Sequence, residues 1–477
     1  MTRTAAIGAL LGVVAILIRL PFFAHQLWAW DSVLYARAIE QGFHVDYDLS
    51  GQRPHPPGYL FYVAAAALFR LFVANSNAAL VLVSVLAGAL ATVAIFLFAR
   101  RLASEPAALA AAAAFAVNPL VWAYSEVSYP YTVLALGSVL VAALCHAARG
   151  GTARTVLATS AVFGLATGFR QDLLLLLGPA WLWALAAHRW RVRAAAVALL
   201  ALASFVWLVP TVILSEGPEA YALALSTQIE FVRTTYSVPQ HGLKALFANL
   251  GTTAYAMGWG LMLVGTLAPL ALGARRMRAF LLLWSAPAIA FYVIVHIGEW
   301  GYTLSILPAL YVASAIGLDL VGRIRCVPRS AWRASGTVAA LLPAAVFVFT
   351  PAPFSAAAIE THDRELASRV VYVRQNFAPD ATAVLAREDF LLVRYYLSEY
   401  RAWLYDPEPH AKAKARQRKR MGNVTSVVVF TRGLRPLSDH AVRYLECGRG
   451  VKIAYLPVLP GEVLELSGEL YFTSREP

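Results

Sequence analysis

Cysteine and charged residues are both scarce in this sequence, and each scarcity removes a class of protein. Only three cysteines occur in 477 residues, Cys145, Cys326 and Cys447. They fall in an apolar run, a loop and the tail, so neither a disulfide framework nor a cysteine-ligated metal cluster follows. Charged residues make up 14% of the chain while 59% are hydrophobic, with a mean hydropathy of +0.61. A soluble chain has no use for that much apolar sequence, because a single hydrophobic core stops growing at about 250–300 residues. Internal repeats and low-complexity linkers are absent too, and lysines are very few. What the chain does have is a series of apolar runs of about 20 residues, the length that crosses a bilayer. The first, 5–24, contains Arg19 and no small-residue cleavage signal, so it reads as a retained span.

The pattern therefore predicts an α-helical polytopic membrane protein, with eleven spans at 5–24, 78–99, 106–122, 128–148, 155–169, 173–187, 194–214, 250–272, 279–297, 301–320 and 335–353. In a soluble protein the net charge of +13 would suggest nucleic acid. Here the arginines sit in short loops between spans, where they set orientation, and no nucleic-acid partner is expected. The segment 58–74 decides the topology. It carries Arg70 and opens on a proline turn, as an interfacial helix does. Kept outside the bilayer core, it leaves fourteen loop arginines after residue 74 on the side of the N-terminus, against Arg170, Arg233 and Lys244 in the opposite loops after that residue. The expectation is a bacterial inner-membrane protein with a cytoplasmic N-terminus, residues 25–74 forming an outer loop with interfacial helices, and an extracytoplasmic C-terminal domain.

Spans 155–169 and 173–187 are short, about 22 Å each against a hydrocarbon core of about 30 Å. Their joining turn, Phe169-Arg170-Gln171-Asp172, should lie sunk below the outer surface. Arg170 there either neutralises itself against Asp172 or offers its guanidinium fork to a lipid phosphate. From 354 to 477 the hydrophobicity becomes segmental. Strand-like runs at 383–386, 427–430 and 451–455 alternate with helical stretches at 363–376, 388–397 and 437–446, the pattern of a small α/β domain beside the 1–353 membrane domain. Its basic run, Lys412 to Arg420, reads first as a solvated helix face and second as a contact for anionic lipid or polysaccharide.

Polar chemistry gathers near the outer ends of the spans. Asp31 and Tyr35 follow the first span at i, i+4 spacing and so share one helix face, with Glu40 roughly on the same side. Acids at such depth cost several kcal/mol unless hydrated, paired or useful. The His55-Pro56-Pro57-Gly58-Tyr59 turn restricts the backbone and fixes His55 and Tyr59. Glu126 and Glu299 are candidate second acids, each equally readable as a hydrated loop carboxylate, and Asp46 and Asp48 read as turn residues. Oxygen and imidazole groups of Asp31, His55 and Glu126 would suit several divalent ions, but no dense ligand spacing is present and neither metal nor cofactor is expected. Tryptophans and tyrosines near these residues mostly form an ordinary interfacial belt.

The order of three motifs resembles a known family: Asp31-Ser32-Val33-Leu34-Tyr35-Ala36, His55-Pro56-Pro57-Gly58-Tyr59 and Gly301-Tyr302-Thr303-Leu304-Ser305-Ile306-Leu307-Pro308. It is similar to the integral-membrane GT-C glycosyltransferases, in the branch of protein O-mannosyltransferases and lipid A aminoarabinose transferases. That resemblance covers about 1–353 and extends in layout to the tail. It implies transfer of a sugar from a polyprenyl-phosphate donor to a hydroxyl of a lipid, glycan or protein acceptor, with inversion and little or no dependence on metal. It implies that Asp31 is the acceptor-side base, that Tyr35 lies one turn on, that His55 stands where relatives contact the phosphate, and that Tyr302 lies near the lipid phosphate. Two departures stand out. Ser32 replaces a glutamate common in relatives, and Leu34 replaces an arginine found in some, which makes Arg170 a substitute cation. The competing readings are a transporter or lipid-linked glycan flippase, and a ligase that differs in acceptor. Repeats are not evident and the acids collect at one face, both of which favour the transferase.

Orientation can be checked directly. With the three native cysteines replaced, Asp31→Cys should react with a membrane-impermeant maleimide added outside spheroplasts. Labelling only after permeabilisation would invert the topology.

Overall fold

A computed structural model describes residues 2–47, 53–322, 341–406, 416–430, 442–467 and 469–471. It opens with α1 (Arg3–Leu17), whose first turn is capped by Thr2 Oγ1 accepting the N–H of Ala5 at 3.3 Å. Next come α2 (Trp30–Gln41) and the ten-residue α3 (Leu60–Phe69), about 15 Å long and so too short to cross a hydrocarbon core. Then α4 (Ser76–Ala99) runs 24 apolar residues from an Asn75 cap, about 36 Å. Helices α5 (Glu105–Ala116) and α6 (Pro119–Glu126) are two halves of one apolar run, bent by 52°. Asn118 Oδ1 caps the second half and Pro119 follows at its first position, where a missing N–H costs nothing.

The chain continues through α7 (Tyr131–Arg149), α8 (Ala153–Ala166), α9 (Asp172–Leu185) and α10 (Trp190–Leu214). After these come α11 (Pro218–Tyr236) and α12 (Val238–Leu261), the latter followed by a 3-10 stretch, Leu263–Gly273, at 101° to it. The set ends with α13 (Arg275–Ile294), a 3-10 turn Trp300–Ser305, α14 (Leu307–Gly322) and α15 (341–349). Among the described residues five helices are long and apolar enough to cross a membrane, or seven if each bent pair is one span. The count of eleven is thus not reproduced. Helices α8 and α9 have only 14 residues each, and part of 335–353 lies outside the described residues.

Two compact units emerge. The membrane unit holds 1–24, 38–47 and 54–359; the other holds 25–37, 48–53 and 360–477. In the membrane unit the arginine-rich loops occupy one set of helix ends. Arg3 and Arg100 both bond Glu105 at 2.9 Å, Arg149 bonds the Trp183 carbonyl, and Arg193 bonds the carbonyls of Ala186 and His188.

The second unit is built on a six-stranded sheet. Its strands are β1 (Thr382–Ala386), β2 (Arg401–Asp406), β4 (Ser426–Val429), β5 (Arg443–Gly448), β6 (Val451–Pro457) and β8 (Glu469–Tyr471), in the order β5-β6-β4-β1-β2-β8. The central β1 pairs parallel with β2 and β4 and is buried along its whole length, which is why it reads as an unbroken apolar run. Strands β3 (Arg416–Arg420) and β7 (Val463–Ser467) form a separate antiparallel pair. Helices α16 (Ala356–Asn376) and α17 (Phe390–Tyr396) match the expected helical stretches.

Two expectations are corrected. The described part of the basic run is the strand β3, not a helix face; pairing with β7 and the seat of Lys419 over the Trp403 ring at 5.8 Å supply what its composition hides. Residues 443–446, expected as helix end, form β5, held by a hairpin through Gly450 at φ +69°. Lys412, Lys414 and residues 437–441 lie outside the described residues.

The bent α5–α6 run has its own polar repair. Arg19 is fully buried, and its Nη2 donates at 2.9 Å to the carbonyl of Ala116, the last residue of α5, while Nη1 donates to Ala15. Its guanidinium lies 5.9 Å from the Trp122 ring, and the Trp122 indole N–H donates to Glu126 Oε1 at 2.9 Å. Arg19→Met should therefore cost about 1–3 kcal/mol, because it leaves the buried carbonyl of Ala116 without its donor. Thermal unfolding of the purified protein measures that loss, and an unchanged midpoint would mean that the bond to Ala116 adds nothing to stability.

Candidate functional site

In the membrane unit the polar chemistry converges on Arg170. It sits just ahead of α9, and Asp172 occupies the first helical position, where the helix N-terminus favours a carboxylate. The guanidinium Nε donates to Asp172 Oδ1 at 3.2 Å and Nη2 to Oδ2 at 2.7 Å. Only 3% of the Arg170 side chain is exposed. Three tyrosine rings from three separate elements surround it: Tyr59 at 5.0 Å, Tyr131 at 5.3 Å and Tyr302 at 5.3 Å. Each ring face presents negative charge density to the cation, worth about 0.5–2 kcal/mol per pair depending on desolvation.

Local backbone geometry explains how the rings arrive. Tyr59 adopts φ +56° immediately before α3, and it follows Gly58 at φ +111°. A Cβ on Gly58 would stand 2.5 Å from Val45 Cγ2, so only glycine lets the turn close there. Tyr131 is the first residue of α7, and a Cβ on Gly301 would lie 2.2 Å from its Cδ2. Tyr302 belongs to the 3-10 turn; its hydroxyl lies 3.4 Å from His296 Nε2, and its ring packs 5.5 Å from Tyr292. An outer layer continues through Tyr124, whose ring meets Tyr131 at 5.1 Å and whose hydroxyl donates to Glu299 at 3.3 Å.

The structure thus brings together Arg170, Tyr59 and Tyr302 from the expected residues. It adds His55, which packs 5.6 Å from Tyr59 with its Nδ1 2.8 Å from the Pro56 carbonyl, and Glu299 in the outer layer. Glu126 stands apart. It is fully buried and accepts the Trp122 indole N–H at Oε1, so the hydrated-loop reading fails. Asp46 lies in an irregular segment, its Oδ1 accepting the N–H of Tyr47 at 2.6 Å, and Asp48 lies outside the described residues. Tyr131, Tyr124, His296 and the pairing of Asp172 complete the cluster. The close run Tyr124, Tyr129, Tyr131 was the one signal in the sequence that could have drawn attention to it.

Asp31 and Tyr35 belong to the second compact unit. Both lie on α2, Asp31 in its first turn and partly buried, Tyr35 one turn later and 1% exposed, so the expected shared helix geometry is present. Among the described residues no three histidine, cysteine, aspartate or glutamate side chains come together as a metal-binding group.

Comparison with known proteins finds a likeness in sequence over part of the chain and a likeness in fold over most of it. Residues 54–214 match the sequence profile of the family described as dolichyl-phosphate-mannose-protein mannosyltransferase. The structure of ArnT from Cupriavidus metallidurans bound to undecaprenyl phosphate superposes with a TM-score of 0.57 at 15% identity, covering 83% of this chain and 85% of that one. The apo form of the same protein gives 0.52 at 16% identity, covering 83% and 84%. The Archaeoglobus fulgidus oligosaccharyltransferase complex with Zn and sulfate gives 0.46 at 14% identity, over 89% of this chain and 67% of that one. A comparison with curated protein sequences returned no match. The matched segment contains the His55 turn and Arg170, and the chain has apolar helices long enough to cross a membrane and shares the fold of ArnT over most of its length.

Proposed function

We propose that this protein transfers a sugar from a polyprenyl-phosphate carrier to an acceptor hydroxyl at the outer face of a bacterial inner membrane, with inversion at the anomeric carbon. The observation that carries the reading is the buried Arg170 among three tyrosines. Asp172 takes the Nε and Nη2 edge of the guanidinium, and Nη1 would donate to a phosphate oxygen. The phenols and His55 would add hydrogen bonds. The undecaprenyl phosphate in the ArnT structure supports a carrier of this kind.

Asp31 is the proposed general base. It takes the proton of the acceptor hydroxyl as that oxygen bonds to the anomeric carbon. The carbon–phosphate oxygen bond breaks on the opposite side, and the electron pair leaves with the polyprenyl phosphate. The charge that develops there is met by the cation and donors of the Arg170 cluster. Carrier lipids hold donor and acceptor at one depth, which removes much of the entropic barrier. No metal or cofactor is assigned a part. The arginine-rich helix ends support a cytoplasmic N-terminus.

The test is transfer from a panel of radiolabelled polyprenyl-phosphate sugars by the purified protein. Asp31→Asn should lower kcat by about 10²–10⁴ with little change in donor KM, and near-normal turnover would remove the base. Arg170→Lys keeps the charge but loses the fork, and should lower kcat about tenfold or more, with the larger part of the loss in kcat and not in donor KM. Gly301→Ala would push Tyr131 off the cation, and a displacement approaching 1 Å predicts a loss of about 10²-fold in kcat/KM. Undetectable turnover with every donor, together with substrate-driven uptake into liposomes, would replace the transferase by a transporter.

A further inference from the structure

The chain that leads into α2 is irregular from Ala24 to Ala29, so its N–H groups have no helical ladder to bond. In the second unit three successive ones are taken by side chains from the far end of the sequence. Asp363 Oδ2 accepts the N–H of His25, Asp363 Oδ1 accepts that of Gln26 at 3.1 Å, and the Tyr396 hydroxyl accepts that of Leu27 at 2.8 Å. The indole N–H of Trp30 donates to the carbonyl of Glu388, and the Trp28 ring packs 4.5 Å from His362. Beyond Asp31, Arg37 lies 4.8 Å over the Tyr395 ring and donates to the Arg394 carbonyl at 3.3 Å. The turn that carries Asp31 is therefore held before and after the acid.

These holding groups are themselves fixed. Asp363 lies on α16 and Tyr396 ends α17, and Arg374 of α16 bonds the Tyr396 carbonyl at 2.6 Å and Glu399 at 2.8 Å. The Tyr400 hydroxyl donates to the carbonyl of Phe377 at 2.8 Å. Arg369, also on α16 and buried, reaches Glu365 at 3.4 Å and Asp389 at 3.6 Å, the latter next to α17. One ionised carboxylate holding two consecutive N–H groups makes charge-assisted bonds, roughly twice as strong as neutral ones. A base must stand within about 0.5 Å of its productive place, which an irregular loop alone does not secure.

We infer that Asp363 is a positioning residue for Asp31: its carboxylate pins the entry to α2, so that the C-terminal fold determines where the acid stands. This rests on the reading of Asp31 as base, and two kinds of measurement keep the claims separable. Amide hydrogen exchange on the full-length protein needs no substrate. In Asp363→Ala, exchange over 25–28 should rise about tenfold or more, while β1 and β4 stay protected. Transfer kinetics should then show kcat down about tenfold or more with donor KM within about twofold, because an unpinned base loses alignment and not donor affinity. Asp363→Asn, which retains one carbonyl oxygen, should fall between.

Unchanged exchange over 25–28 would overturn the pinning. Raised exchange with normal kcat, or a loss carried by KM, would overturn the positioning role. If Asp363→Ala unfolds the sheet, Tyr396→Phe removes a single oxygen, and raised exchange at Leu27 with lowered kcat decides the same question. A wild type that moves no sugar from any donor defeats the functional reading, and exchange alone then decides the pinning.

Discussion

A charged guanidinium nearly shut off from water is the constraint around which the membrane unit is arranged. Arg170 cannot be buried alone, because desolvating an unpaired ion costs several kcal/mol even after relaxation. Asp172 answers the charge from the first turn of α9, where the helix N-terminus also steadies the carboxylate. Three tyrosine faces replace the remaining hydration. Each ring in turn constrains its own backbone. Tyr59 requires a left-handed turn behind Gly58, and Tyr131 requires that residue 301 have no side chain. A short stretch ahead of α9 thus dictates the local geometry of α3, α7 and the 3-10 turn.

How far this was legible depends on the range of each interaction. Arg170 and its alternative partner Asp172 could be read because they are two positions apart and flanked by apolar runs too short to span. Of the tyrosine cage, Tyr59 and Tyr302 were named and Tyr131 was not, since the members are separated by long stretches of chain and aromatic residues there also fit the ordinary interfacial belt. Glu126 shows the same limit. Its neighbours predict a wet loop, whereas it is fully buried and accepts the indole N–H of Trp122, one turn back on the same helix. In the C-terminal unit β1, β4 and β6 were visible as apolar runs. Strand β3 was not, because its five residues are all polar and its structure comes from pairing with β7.

The broken helices follow one logic. Each break frees backbone carbonyls that a low-dielectric interior would leave unpaired, and polar side chains take them up. Arg19 takes Ala116, while Asn118 Nδ2 donates to Trp259 and Gly260 at 2.9 and 3.1 Å, near the end of α12 where the second bend begins. The two bends are therefore tied by a single asparagine. The α5–α6 bend carries Tyr124 to the outer layer around Arg170, which a straight helix through the same residues would not do. Here the irregularity serves the placement of side chains, and the buried polar groups near it are its structural cost.

The pairing of Arg170 has a consequence for the proposed chemistry. Asp172 makes the pair neutral before any ligand arrives, so the cluster offers directional donors more than net positive charge. A strongly cationic pocket would bind donor and departing polyprenyl phosphate about equally well. Uniform binding of that kind lowers KM without raising kcat, and it slows release of the product. Donors fixed by a carboxylate and three rings can instead be aimed at the bridging oxygen, where negative charge grows as the sugar leaves. In that reading the aspartate beside the arginine tunes the site by subtracting attraction from the ground state, and the aromatic cage preserves the alignment that attraction would otherwise have supplied.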